Sequence, residues 1–147
     1  MSKGKKAKKI LAKAARNGDN EGMLRALERT AANATDRHLA MALVIAARHR
    51  NITTVRFLLQ RGANVNVATN SVRWTALHYM SRWNAADVVQ ELIAAGADVN
   101  CTTVDDDTPL MLALGDIHTA SILIEAGADV KARGEFGTAM DLSLIHI

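Results

Sequence analysis

The chain of 147 residues is 49% hydrophobic, 22% charged and only 3% aromatic, which is the composition of a soluble globular protein and excludes a disordered one. No apolar stretch approaches the roughly 18–20 residues that cross a bilayer, no apolar segment follows the basic start as in a secretory signal, and the single cysteine, Cys101, excludes an internal disulfide. The net charge of +3 hides an asymmetry, because 16 of the 18 lysines and arginines precede residue 83 and 11 of the 15 acidic residues follow residue 82.

The chain begins with a basic segment, residues 1–9, whose lysines are Lys3, Lys5, Lys6, Lys8 and Lys9. Such a run can bind nucleic acid or anionic membrane, or act as a nuclear import signal. No aromatic residue stands between the lysines, so stacking on bases is not indicated, and a solvated leader on the first helix is the alternative interpretation. Since neither a secretory signal nor a disulfide is indicated, we expect an intracellular protein located in the cytoplasm.

Paired helical patterns follow the basic segment. The segment Ile10–Thr30 predicts a first helix pair, with an uncertain loop at residues 31–37. Further along, Met41–Asn66 aligns without a gap to Thr75–Asn100, and a third copy, Thr108–Lys131, is two residues shorter. These three copies end in the similar turns RGANVN, AGADVN and AGADVK, with glycines 34 and 31 residues apart at Gly62, Gly96 and Gly127. Such a period indicates stacked structural repeats.

Each part of the repeat has a physical reason. Thr75 and Thr108 are predicted to cap helix starts, with Pro109 at the first helical position, where a missing N–H costs nothing. The glycine of each turn is predicted to end a second helix in the left-handed conformation. Paired apolar residues of the second helices are expected to form a continuous core: Leu58, Leu59, Leu92, Ile93, Leu123 and Ile124.

The motifs TALH at Thr75–His78 and TPLM at Thr108–Met111, each closed by a Gly-Ala-Asp-Val turn, resemble the ankyrin repeat. The resemblance covers residues 10–141 and implies an all-α solenoid of stacked helix-turn-helix units joined by short β-hairpin loops. No single unit can bury its own apolar face, so stability is expected to come from stacking. We predict a degenerate first repeat, three recognisable repeats and a partial fifth, at residues 10–37, 38–70, 71–103, 104–133 and 134–141.

The last six residues, Leu142–Ile147, are apolar and have no polar capping face. Their letters, LSLIHI, equal the translation of a transposon-end adaptor used in sequencing libraries. We therefore expect a non-native or truncated end and a natural chain that continues past Asp141, with a genuine short final helix as the alternative.

The resemblance implies a non-catalytic module that binds another protein through the concave groove of its first helices and through its hairpin fingertips. Carried over position by position, the fingers are residues 67–74, 101–107 and 132–137, and the first finger is one residue longer than the family norm. The third repeat is shortened at Gly115, which predicts a notch beside Trp83. The groove residues are Arg48, His49, Arg82 and Trp83.

Together with the first two fingers, the groove residues predict one partner-binding surface. The first finger adds Arg73 and Trp74, and the second adds the acidic run Asp105, Asp106 and Asp107. Tryptophan and arginine are enriched at binding hot spots, and the acidic run favours a basic patch on the partner. The alternatives are an arginine that merely covers a tryptophan face and an acidic run that is merely solvated.

The remaining polar residues indicate no chemistry. His78 is predicted to make structural hydrogen bonds to neighbouring turns, and Tyr79 to pack between helices. The spacing of Cys101, the histidines and the aspartates matches no zinc or calcium motif, and no P-loop, nucleophile elbow or dinucleotide fingerprint is present. We expect no catalysis, cofactor, metal or small-molecule substrate. Two alternatives stay open: a nucleic-acid- or membrane-associated adaptor acting through the basic end, and the recognition fragment of a longer effector or enzyme.

Overall fold

A computed structural model of the chain describes residues 3–30, 36–69, 71–113, 115–134 and 137–138. Residues 31–35 of the loop predicted at 31–37, most of the predicted partial repeat and the segment 142–147 lie outside the described residues, whereas residues 36 and 37 of that loop are helical. Within the described ranges the chain forms eight helices and one pair of short strands. In chain order they are α1 (Lys3–Asn17), α2 (Asn20–Thr30), α3 (Asp36–Arg48), α4 (Ile52–Gln60), α5 (Ala76–Arg82), α6 (Ala86–Ala94), α7 (Pro109–Leu112), α8 (Ile117–Glu125), β1 (Arg133–Gly134) and β2 (Gly137–Thr138).

The helices form two layers of stacked antiparallel pairs. Each odd-numbered helix contacts the even-numbered helix that comes after it. The odd helices α1, α3, α5 and α7 also contact one another in succession, as do α2, α4, α6 and α8. This arrangement confirms the predicted all-α solenoid, because each pair leaves an apolar face that only the next pair covers.

The first helix begins at Lys3, so the basic segment continues directly into the helix. The boundary predicted between residues 9 and 10 falls inside α1. Ala7, Leu11 and Ala15 of this helix are buried, and α1 contacts α2 and α3. The exposed lysines of α1 are therefore fixed in direction by the packing of its opposite face.

The core follows the paired apolar positions of the second helices, with one exception. Leu58, Leu92 and Leu123 are fully buried. Ile93 is half-buried against the core, whereas the equivalent Ile124 is 48% exposed. The expectation that Ile124 belongs to the core is therefore wrong. Within the described part of the chain no helix comes after α8, so nothing there covers the outer side of Ile124.

Helix starts and ends have the chemistry that the sequence predicts. The hydroxyl of Thr75 accepts a hydrogen bond from the N–H of His78, and that of Thr108 accepts one from the N–H of Met111, both at 3.4 Å. Pro109 is the first residue of α7. The turn glycines are left-handed as predicted, with φ of 74° at Gly62, 93° at Gly96 and 97° at Gly127.

The turns that come after the second helices are joined by an amide ladder, formed by Asn66 and Asn100. The Asn66 side chain donates to the carbonyl of Gly96 at 3.0 Å and accepts from the N–H of Asp98 at 2.8 Å. Asn100 makes the same two bonds one repeat later, to Gly127 at 3.1 Å and from Asp129 at 2.7 Å. Each asparagine thus ties its own turn to the next one.

Ser81, in α5, is fully buried, and its hydroxyl oxygen has no hydrogen-bond partner among the described residues. Ala47 occupies the equivalent position in α3 and is equally buried. A buried polar group without a partner costs the folded state free energy, so Ser81→Ala is expected to raise the free energy of unfolding by about 1 kcal/mol. Urea denaturation of both proteins, followed by circular dichroism, measures the difference. A loss of stability would show instead that the hydroxyl is hydrogen-bonded.

Candidate functional site

A surface cavity of about 540 Å³ opens between the first finger and helices α3 and α5. We call it the Trp–Arg cavity after its most distinctive side chains. It takes residues from two successive repeats and one residue from the second finger. Its lining residues are Arg48, Thr69, Ser71, Val72, Trp74, Tyr79, Arg82, Trp83 and Asp105.

Two hydrogen-bonded fingers shape one side of this cavity. In the first finger the N–H of Thr69 donates to the carbonyl of Trp74 at 2.9 Å, and the N–H of Trp74 donates to the hydroxyl of Thr69 at 3.1 Å. The second finger is attached to the first, because the N–H of Val104 donates to the carbonyl of Val72 at 3.2 Å. That bond brings the neighbouring Asp105 to the edge of the cavity.

Helix α5 supplies the other side through the spacing of Tyr79, Arg82 and Trp83. Residues three and four apart lie on one face of a helix, so these three side chains emerge together where α5 ends. The ring of Tyr79 lies 4.8 Å from that of Trp74, measured between centroids. Trp83, the residue that caps α5, is 38% exposed.

Arginines lie over both tryptophans. The guanidinium of Arg82 is 5.7 Å from the centre of the Trp74 ring, and that of Arg50 is 5.7 Å from the centre of the Trp83 ring. These distances are within the range of cation–π attraction, which is worth about 0.5–1 kcal/mol at exposed sites. The contacts restrict the arginine and tryptophan side chains and leave the cavity open.

Two arginines and one aspartate line the cavity, so the charge of its lining is positive overall. Arg48 and Arg82 are exposed and make no ion pair with a described residue; the two described ion pairs, Arg25 with Glu21 and Arg56 with Glu91, lie elsewhere. Burial raises the pKa of Tyr79, against the opposing influence of Arg48, so the phenol is neutral at physiological pH. The cavity therefore offers two cations, a neutral phenol and aromatic walls, with Asp105 at the rim.

The structure brings together five of the nine residues predicted to bind a partner: Arg48, Trp74, Arg82, Trp83 and Asp105 line the Trp–Arg cavity. The other four do not line it.

His49 is exposed just beyond the end of α3, and Arg73 and Asp106 are exposed at the equivalent left-handed positions of the two fingers, with φ of 55° and 60°. The backbone of Asp107 is engaged by His78 instead. A binding role stays a prediction for these four residues and for the five that line the cavity.

The sequence patterns do not predict the contact of Arg50 with Trp83. They predict only that Tyr79 packs between helices, whereas Tyr79 also lines the cavity. Arg50 stands at the bend between α3 and α4, where its φ of 58° matches the 53° of the equivalent Asn84. A left-handed residue at this bend directs the arginine towards the next repeat, where Trp83 lies. The repeat alignment does show that Arg50 and Asn84 are equivalent positions. It does not show that Arg50 contacts a residue of the next repeat.

The shortened third repeat has a short first helix. Helix α7 has four residues where α5 has seven, and Gly115 is exposed with a φ of 82°. Neither α7 nor Gly115 contributes to the lining of the Trp–Arg cavity, and Leu114 lies outside the described residues. The notch beside Trp83 therefore stays a prediction.

His78 is structural, as predicted. It is fully buried, its Nδ1 accepts from the N–H of Thr75 at 3.1 Å, and its Nε2 lies 3.2 Å from the carbonyl of Asp107. Because Nδ1 accepts, Nε2 carries the proton and donates it to the second finger. Burial lowers the pKa of His78 to about 4, so the ring is neutral at physiological pH.

Cys101 is the neighbour of this histidine and has no sign of reactivity. Its Sγ is 3.6 Å from the hydroxyl of Thr75 and 3.8 Å from Nδ1 of His78. Burial raises the pKa of the Cys101 thiol, which keeps it protonated and a poor nucleophile. In the described ranges no group of three or more histidine, cysteine, aspartate or glutamate side chains converges as a metal site would require.

The third finger is described only in part. Arg133 pairs with Thr138 and Gly134 with Gly137 in the antiparallel hairpin β1–β2. Residues 135 and 136 lie outside the described residues.

Stacked helix pairs with hydrogen-bonded fingers and an open surface cavity define a helical-repeat protein. Residues 66–134 match the family model for ankyrin repeats in three copies, and residues 27–80 match that for ankyrin repeats in many copies. Together the matches extend over residues 27–134, and the chain belongs to the ankyrin repeat family. Ankyrin repeats are generally modules of protein–protein interaction without catalytic activity.

Relatives with similar sequences are much longer proteins. Neurogenic locus notch homolog protein 1 of Xenopus tropicalis is 40% identical over 108 residues, which are 71% of this chain and 4% of that protein. The 2-5A-dependent ribonuclease of Homo sapiens is 34% identical over 97 residues, 66% of this chain and 13% of the relative. Ankyrin repeat and SOCS box protein 3 of Homo sapiens is 36% identical over 93 residues, 60% of this chain and 18% of the relative. The chain spans only a small part of each of these relatives.

None of the helices in the described ranges has the length and apolar character that a membrane crossing requires.

Proposed function

We propose that this chain is a non-catalytic interaction module that binds a partner protein through the Trp–Arg cavity and the adjoining fingertips. The observation that carries the proposal is the convergence of Trp74, Trp83, Arg48 and Arg82, from two successive repeats, on one open cavity. Residues of these types supply most of the binding energy at protein interfaces, since they bury much area for little loss of side-chain entropy. The contacts of Arg82 and Arg50 over the tryptophan rings lower that entropy cost further.

The chemistry of the cavity favours a partner segment that combines an acidic side chain with an apolar or aromatic one. Arg48 and Arg82 make no ion pair with a described residue, so a carboxylate entering the cavity meets two guanidinium groups, one of which lies over the Trp74 ring. The rings of Trp74 and Tyr79 provide apolar walls for a neighbouring side chain. Asp105 lies at the rim, where a basic residue of the partner would improve the rate of association more than the affinity.

The test is a quantitative pull-down from cell lysate with the wild-type chain and the variant Trp83→Ala. Because Trp83 is partly exposed and caps a helix without filling the core, its removal is expected to leave the helicity unchanged. Loss of a hot-spot side chain is expected to weaken binding of every specific partner by about tenfold or more. Ile117→Ala is the matched control, because Ile117 is a large apolar residue that is 84% exposed and does not line the cavity.

Arg82→Ala supplies a second arm, since it removes a cavity cation and spares both tryptophans. The proposal would be abandoned if Trp83→Ala and Arg82→Ala both kept every partner at wild-type yield. An equal loss in Ile117→Ala would show that the contact surface is elsewhere.

An alternative proposal is that the chain is the recognition part of a longer effector or enzyme. It is supported by the small share of each relative that the chain spans, and by the name of one relative, a 2-5A-dependent ribonuclease. Sequencing the gene beyond the codon for Asp141 tests it. A reading frame that continues into a catalytic domain would support this alternative, and a stop codon directly after the repeats would contradict it.

A further inference from the structure

We propose that the exposed basic face of α1 is a binding surface for the phosphate backbone of double-stranded nucleic acid. This surface is separate from the Trp–Arg cavity and goes beyond the interaction module proposed above. It consists of the exposed side chains Lys5, Lys6, Lys8, Lys9, Lys13 and Arg16. We call it the basic face.

The basic face is a continuous row and not a scatter of surface lysines. Lys5, Lys9 and Lys13 are four residues apart and Arg16 lies three residues further on, so the four lie along one side of the helix. With a rise of about 1.5 Å per residue the row is about 16 Å long, which matches roughly five base-pair steps of a duplex. The opposite side of α1 packs against α2 and α3, which keeps the row facing outwards.

The charges of the basic face are free for a ligand. Helix α1 contains no aspartate or glutamate, and none of the six side chains makes an ion pair with a described residue. Like charges four residues apart on a helix repel each other, so Lys5, Lys9 and Lys13 disfavour the helix that carries them. A row of phosphates would remove that repulsion and release the counterions condensed on the nucleic acid.

The rest of α1 distinguishes a duplex from other polyanions. A helix that binds membranes by insertion needs a free apolar face, but Ala7, Leu11, Ala14 and Ala15 are buried in the core and Ile10 is only 39% exposed. Proteins that prefer single strands stack bases on aromatic side chains, and α1 has none. Contact with the backbone of a regular, highly charged duplex, without readout of base sequence, needs neither feature.

The charge distribution of the chain also orients such a complex. Sixteen lysines and arginines precede residue 83, whereas 11 of the 15 acidic residues follow residue 82. The repeats stack in chain order, so a duplex is attracted at the α1 end and repelled at the α8 end.

The experiment is a fluorescence anisotropy titration of the full chain with a labelled duplex DNA of about 20 base pairs, at several salt concentrations. We expect binding at low salt that weakens with a log–log slope of about 4, one unit for each phosphate neutralised by the row. Reversing two charges in Lys9→Glu/Lys13→Glu is expected to lower the slope by about 2 and the affinity by about tenfold or more. Glutamate is a good helix former, so circular dichroism of this variant is expected to match the wild type.

The matched control is Arg37→Glu/Arg61→Glu, which changes the net charge by the same amount at exposed positions outside α1. The proposal predicts near wild-type binding for this control. It is overturned if the wild type does not bind the duplex at low salt, or if the two double variants lose equal affinity. Tighter binding to oligo(dT), or to phosphatidylcholine vesicles containing phosphatidylserine, than to the duplex also overturns it, in favour of a single-strand or a membrane surface. None of these outcomes changes the expected effect of Trp83→Ala in the pull-down, so the two proposals fail separately.

Discussion

Lowering the pH from 7 to 4 is expected to reduce the free energy of unfolding by roughly 3 kcal/mol through His78 alone. Burial lowers the pKa of this histidine from 6.5 to about 4 in the folded chain. Below pH 6.5 the unfolded chain takes up a proton that the folded chain refuses, so stability is complete above pH 6.5 and is lost as the pH falls towards 4. Each unit of pKa difference is worth about 1.4 kcal/mol, so the full difference is worth about 3.5 kcal/mol, of which roughly 3 kcal/mol is lost by pH 4.

The variant His78→Gln isolates this contribution. Glutamine does not titrate, and its side chain can both accept a hydrogen bond from the N–H of Thr75 and donate one. The variant is expected to be less stable than the wild type at pH 7, and the gap should narrow by roughly 3 kcal/mol at pH 4. Urea denaturation at pH 7, 5.5 and 4 gives the free energy of unfolding of both proteins. The difference between the two proteins removes the contribution of the ionisable groups that they share. A gap that stays constant between pH 7 and pH 4 would contradict the assignment.

The same titration has a local consequence for the start of α5. Protonated Nδ1 can no longer accept from the N–H of Thr75, whereas Nε2 keeps its proton and still donates to the carbonyl of Asp107. We therefore expect the protection factor of the Thr75 amide to fall before global unfolding as the pH falls below 5, measured by hydrogen exchange relative to the intrinsic rate at each pH. His78 thus links the pH to the cap of α5.

Features set by local chemistry could be predicted from the sequence. Thr75 and Thr108 cap their helices because a hydroxyl three residues before a free N–H reaches it in any repeat. The turn glycines are left-handed because β-carbons are disfavoured there. The apolar period likewise places Leu58, Leu92 and Leu123 in the core without knowledge of their neighbours.

Features that depend on the next repeat could not be predicted in the same way. The contact of Arg50 with Trp83 joins residues 33 positions apart and requires the left-handed bend at Arg50 as well as the stacking distance. The bond between Val104 and Val72 depends on the relative tilt of two fingers. The burial of Ile124 could not be predicted for the same reason. Its apolar character matches that of Ile93, but its burial depends on whether another helix packs against α8.

Removing one asparagine of the amide ladder is expected to uncouple the repeats on either side of it. Asn100→Ala loses two hydrogen bonds, to the carbonyl of Gly127 and from the N–H of Asp129, and is expected to reduce the free energy of unfolding by about 1–2 kcal/mol. Repeat arrays behave as chains of nearest neighbours, so the loss should concentrate in α7 and α8. Hydrogen exchange is expected to show faster exchange in α8, with α3 and α4 unchanged.

Asn64→Ala is the control for this prediction, because Asn64 makes only a local bond within its own turn, from the N–H of Asn66 at 2.9 Å. Asn64→Ala should reduce the free energy of unfolding by less than Asn100→Ala and leave hydrogen exchange in α8 unchanged. Faster exchange throughout α1 to α8 in Asn100→Ala would contradict the nearest-neighbour account.

In the third turn, Lys131 holds the position of Asn66 and Asn100, and its side chain has no acceptor atom. The ladder cannot be extended through Lys131 by the same pair of bonds, so the stability of α7 and α8 rests on Asn100 and on packing against α5 and α6.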